Sequence, residues 1–164
     1  MPQPDGRKYP ENPMNKDEHF TEFVTFTIAG QLFGLPIAQV QDVFKPMNVT
    51  RVPLAGSEIA GVLNLRGRIV TAIEMRSRLV AQPRGDSSDA MAIGVEAKGE
   101  SFGLLVDAVG EVLKLADVEL EPNPINLDRR LADLSVGVYR LDGQLLVVLD
   151  IDEVLRLRGD AAAA

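Results

Sequence analysis

Few side chains in this 164-residue chain could do acid–base chemistry. Two acid pairs stand at strand spacing, Asp150 with Asp152 and Glu119 with Glu121. Residues two apart in a strand share a face. Each pair could therefore bring two carboxylates together, as a glycosidase or a Mg²⁺ site requires. Asp150 and Asp152, however, lie where a strand runs into a helix, and helix capping explains them without chemistry. Asp107 is a further candidate acid or base. The single histidine, His19, has no acid at ligand spacing, and a His-based triad has no other candidate base. With no Cys there is no thiolate ligand, Cys nucleophile or disulfide. No Gly-x-x-x-x-Gly-Lys or Gly-x-Gly-x-x-Gly loop occurs to cradle a phosphate. No catalytic residue, metal site or cofactor is assigned.

Arg66 invites recognition rather than catalysis. It sits in Asn64-Leu65-Arg66-Gly67, at the expected tip of a hairpin. Gly67 takes positive φ cheaply and so fixes where Arg66 points. An always-charged fork of donors on a rigid turn is a good anchor. Val40 and Asp42 lie on a short amphipathic segment that could help form a groove for a partner helix. Whether Arg66 touches a partner or braces the groove through an acid such as Asp42 is left open by the sequence.

Residues 1–18 are rich in Pro, Asn and mixed charge and read as a disordered tail. Phe20–Ala29 alternates as a strand, and Gly30-Gln31 turns it into Leu32–Leu35. Pro36 suits a first helical turn, and Ile37, Val40, Val43 and Phe44 follow at helical spacing. Val49–Val52 reads as a short strand stopped by Pro53, and 54–60 as a loop or single helical turn. Val62–Leu65 and Arg68–Met75 form the Arg66-Gly67 hairpin. Gln82–Asp89 marks a flexible seam. Ala90–Ala97, Ser101–Val106 and Val109–Leu115 read as strands, the last with a helix like its partner in the first copy as the alternative and β-branched content favouring the strand. Leu127–Leu134 is a short helix. Val136–Leu141 and Gln144–Leu149 pair across Asp142-Gly143, a type I′ signal. A helix from Asp150 to Arg158 and a frayed 159–164 tail close the chain.

The chain also repeats itself. Phe33-Gly34-Leu35 through Lys45 reappears as Phe102-Gly103-Leu104 through Lys114, which aligns Asp42 with Glu111 and Val43 with Val112. Gly61-Val62 to Leu79 reappears as Gly137-Val138 to Leu155, aligning Gly67 with Gly143. Two copies are too few for a solenoid, so the expectation is a pair of similar small barrels, one from each half. The 46% hydrophobic content supports a real core. A formal charge of −7 argues against general nucleic-acid binding, and two Tyr with no Trp leave no stacking platform. No apolar run approaches the roughly 20 residues of a membrane helix, and no secretory h-region is present. A cytoplasmic protein without direct membrane insertion is expected.

The run Ile59-Ala60-Gly61-Val62-Leu63-Asn64-Leu65-Arg66-Gly67-Arg68-Ile69-Val70 resembles the signature of CheW-like domains, the bacterial chemotaxis coupling proteins. Leu104–Val112 and Leu146–Ile151 resemble that family's later blocks. The likeness covers about residues 20–158. Thr71 stands where a Pro is common, and Glu74-Met75-Arg76 replaces Asp-Leu-Arg. The resemblance implies a mainly β fold over 19–158: two SH3-like five-stranded barrels around a shared hydrophobic core, with a few short helices. It implies a non-enzymatic adaptor, without cofactor, that couples transmembrane chemoreceptors to the histidine kinase CheA. The implied partners are the kinase's regulatory domain and the receptor's cytoplasmic tip, with other CheW copies as a further candidate and recruitment to membrane-associated receptor arrays. By position Val40, Asp42, Val43, Gly61 and Arg66 would face the receptor. Loops of the second barrel would meet the kinase, with no residue assigned. A β-barrel enzyme using Asp107 or Asp150, and an oligosaccharide- or nucleic-acid-binding barrel, are the competing classes.

Overall fold

The computed structural model describes residues 19–79 and 90–156. The expected tails at 1–18 and 159–164 and the expected seam at 82–89 lie outside the described residues. The described residues form ten strands: β1 Phe20–Ile28, β2 Gln31–Pro36, β3 Asp42–Phe44, β4 Ile59–Leu65, β5 Arg68–Glu74, β6 Met91–Ala97, β7 Glu100–Val106, β8 Ala108–Ala116, β9 Ser135–Leu141 and β10 Gln144–Leu149. Three short helices, α1 Met75–Leu79, α2 Arg129–Asp133 and α3 Ile151–Val154, join them.

Two five-stranded sheets result. Sheet I runs β8-β1-β2-β10-β9 and sheet II runs β3-β6-β7-β5-β4. The repeat is real, but neither sheet is built from one half of the chain. Each half lends its first hairpin, β1–β2 or β6–β7, to the sheet of the other. The hairpins join in parallel at Val147 beside Phe33 and at Ala72 beside Gly103. Each sheet is then drawn toward closure by one isolated bridge, Glu121 with Val138 and Thr50 with Val62.

Burial follows from this exchange. Phe26, Ile28, Phe33 and Leu35 of sheet I pack with Ile73, Ile93, Val95 and Leu104 of sheet II in one core, each at most 1% exposed. Full burial of such a side chain is worth about 1.5–3 kcal/mol, so this shared core dominates the fold. Smaller cores fill each sheet's concave side: Phe23, Tyr139, Leu146 and Val148 in one, Leu63, Val70, Ala72, Ala92 and Leu105 in the other. Strands covered on both faces become continuous apolar runs, as in Phe102–Val106. Thr25, which the alternation of β1 sets on a polar face, is therefore buried, and its hydroxyl donates to the Glu111 carbonyl at 2.6 Å. It sits where the β1–β8 register shifts, and Gly110 lies beside it because a Cβ there would stand 2.7 Å from the hydroxyl oxygen.

Several local expectations are corrected. The 36–44 segment is not a helix: one 3₁₀ turn covers Ile37–Gln39, Val40 is extended, and β3 pairs with β6. A segment this short cannot nucleate a helix alone, and the Gln41 amide gains the Gly94 carbonyl at 2.8 Å instead. The first hairpin turns on Ala29-Gly30, both at positive φ, rather than Gly30-Gln31. Val49–Val52 reduces to the single Thr50 bridge. At Asp142-Gly143 only the glycine takes positive φ, so the turn is not type I′. The closing helix is one turn, Ile151–Val154, capped by Asp150.

Candidate functional site

Arg66 and Gly67 adopt φ +53° and +84°, the two positive values a type I′ hairpin requires. The Asn64 side-chain oxygen accepts from the Gly67 amide at 2.9 Å and sets the turn. The turn holds Arg66 in solvent, 75% exposed, where its guanidinium donates to the Asp42 carboxylate at 2.8 Å. Asp42 begins β3 and Arg66 follows β4, and these are the two edge strands of sheet II. The ion pair thus spans the open side of the sheet, as the Thr50–Val62 bridge does along the same seam.

The other expected residues divide by burial. Val43 is 38% exposed on β3. Val40 packs half-buried against the shared core and lies on no helix. Gly61 is buried at φ +152°, and a Cβ there would stand 2.3 Å from the Thr50 carbonyl oxygen. It therefore serves closure of the sheet and offers no side chain to a partner. A cleft of about 500 Å³ opens along the same seam, lined among others by Phe44, Met47, Val62, Leu65 and Ile69. Met47 and Ile69 are about two-thirds exposed and were not singled out from sequence. The signal for Ile69 was available, since alternation opposes it to buried Val70. The site is an apolar trough with a fixed ion pair beside it, suited to holding a side-chain stripe of a partner.

Three of the acids considered for catalysis are engaged in structure. Asp107 accepts two hydrogen bonds from Arg76 of α1 and one from the Ala29 amide, tying the two sheets where β7 passes into β8. Asp150 caps α3 through the amides of Asp152 and Glu153. Glu121 pairs with Arg140 at 2.9 Å. Among the described residues no group of three His, Cys, Asp or Glu could hold a metal ion, and no helix is long and apolar enough to cross a membrane. Burial, with Asp117 and Glu119 adding to it, raises the Tyr139 phenol above its ordinary value.

Residues 22–158 match the family model described as the CheW-like domain. The chain is 24% identical over 140 residues to the chemotaxis protein CheW of Helicobacter pylori, covering 85% of this chain and 84% of that protein. It is 29% identical to the chemotaxis protein CheW of Klebsiella aerogenes, covering 82% and 81%. It also matches the chemotaxis protein CheA of Salmonella typhimurium at 24% identity, over 84% of this chain but 20% of that protein. The crystal structure of the scaffolding protein TtCheW from Thermoanaerobacter tengcongensis aligns with TM-score 0.75 and 31% identity, over 86% of this chain and 96% of that one. The two five-stranded sheets bear out the expected mainly β fold of two SH3-like barrels with a few short helices. The chain belongs to the CheW-like family of chemotaxis scaffold proteins.

Proposed function

We propose that this protein is a non-enzymatic adaptor that couples chemoreceptors to the histidine kinase CheA, working in the cytoplasm at membrane-associated receptor arrays. The observation that carries the receptor half is the Arg66–Asp42 pair, braced at 2.8 Å beside exposed Val43 and an apolar cleft. An amphipathic helix of a receptor's cytoplasmic tip would lay its apolar stripe on Val43 and the cleft and meet Arg66 at the edge. Val40 and Gly61 act beneath, as support for β3 and as closure of the sheet. The kinase half rests on family membership and on the match to one-fifth of CheA, which fits a partner containing a domain of the same fold.

Titrating a soluble receptor-tip fragment into the protein tests this reading. Truncating an anchor typically costs about 1–4 kcal/mol, so Arg66→Ala should weaken uptake about fivefold to a thousandfold. The variant should fold normally, because an exposed ion pair contributes at most about 1 kcal/mol to stability. Unchanged affinity in a folded Arg66→Ala variant would remove this surface from the receptor contact.

A further inference from the structure

Adding five to each strand number of sheet I, cyclically, gives the order of sheet II. The β3 edge and the β4–β5 hairpin of the docking surface therefore have counterparts on sheet I, although exposed Ile69 of the cleft corresponds to half-buried Leu145. Val40 corresponds to Val109, and both pack half-buried against the shared core. Exposed Val43 corresponds to Val112, 47% exposed. Gly61 at φ +152° faces the Thr50 carbonyl, and Gly137 at φ +155° faces the Glu121 carbonyl in the same way. The ion pair is where the twins part. Asp42 corresponds to Glu111, but Arg66 corresponds to Asp142. Both of these carboxylates are exposed, and neither has an ion-pair partner among the described residues.

We infer that Asp142 determines specificity: sheet I carries a latent copy of the receptor-docking surface, kept empty by a carboxylate where sheet II has Arg66. The inference rests on the receptor-facing reading proposed above. Carboxylates stand at both positions of the working pair, and the recognition cation is missing. Placing an unfavourable charge against a partner is an effective way to refuse it. An adaptor with two equal surfaces would cross-link receptors; one charge reversal keeps the contact single. The turn differs in step with the charge. Asn64, which shapes the working tip, corresponds to Arg140, which pairs instead with Glu121.

The test transplants the tip. Arg140→Asn with Asp142→Arg recreates Asn-Leu-Arg-Gly on sheet I and gives Glu111 a cation. The Arg140–Glu121 pair it removes is 62% and 43% exposed, so little stability is lost. A receptor-tip fragment is titrated calorimetrically into four full-length proteins, with melting curves recorded for each. The wild type should bind one fragment, Arg66→Ala the same fragment at least about fivefold more weakly, the double variant two, and the double variant carrying Arg66→Ala one tightly and one weakly. One bound fragment in a folded double variant, with the first two results as expected, overturns the inference and leaves the receptor surface standing. No binding by the wild type overturns both. If the double variant fails to fold, Asp142→Arg alone is titrated: a second binding event supports the inference and its absence overturns it.

Discussion

An arginine three-quarters exposed adds little to a fold, so the placement of Arg66 has to be explained by what it holds in solvent. Its partner Asp42 is 24 residues away in sequence, and only closure of sheet II brings the two together. If they act as one unit, their effects on receptor binding should not add. Asp42→Ala should weaken receptor uptake, and Asp42→Ala combined with Arg66→Ala should be no worse than Arg66→Ala alone. Additive losses in calorimetry would separate the two roles. Two glycines near the site give a second contrast. Gly67 stands in open space at φ +84°, so Gly67→Ala meets only backbone strain and should cost about 1 kcal/mol. Gly61→Ala adds a clash with the Thr50 backbone and should cost about 3 kcal/mol or more, read as a fall in denaturation midpoint. The Arg66 hairpin was legible because Arg-Gly at a turn is a local signal. The Asp42 contact was one of two open readings, because pairing across a sheet leaves no mark at local spacing.

At the scale of elements, strands flanked by strong turns were readable, and segments whose state depends on a distant neighbour were not. Ile37, Val40, Val43 and Phe44 fit a helical stripe, yet β6 offers Asp42–Phe44 a ladder that a short helix cannot match. The repeat was visible in Phe33-Gly34-Leu35 and Phe102-Gly103-Leu104, but the exchange of hairpins was not. Local patterning marks which residues are apolar but not which strands meet. Thr25 shows the consequence, since alternation marks it as exposed while the second core on its other face buries it. Thr25→Val would leave the Glu111 carbonyl without its 2.6 Å donor and should destabilise by about 1–3 kcal/mol. Thr25→Ser, which keeps the hydroxyl, should cost less. Equal midpoints for the two variants in urea would show that the hydrogen bond is not what fixes the register shift.

For the whole molecule, the shared core and the exchanged hairpins make the two sheets one folding unit. The pH response should then be global. The Tyr139 phenol is raised by burial in sheet I, so its contribution is fully present below the ordinary tyrosine range of about 10. It is lost as pH climbs through the raised folded value. Melting temperature should therefore fall above about pH 10, and less steeply in Tyr139→Phe. One rigid unit also suits an adaptor, which must hold two partners in fixed relation. The most direct test of that role is co-sedimentation of CheA with receptor-containing membranes, with receptor-dependent kinase activity measured in the same samples. The adaptor role requires that CheA sediment and be activated with the wild-type protein. With Arg66→Ala, CheA should still bind the adaptor in solution but stay in the supernatant, unactivated. Full recruitment and activation with Arg66→Ala, or with no adaptor present, would contradict it.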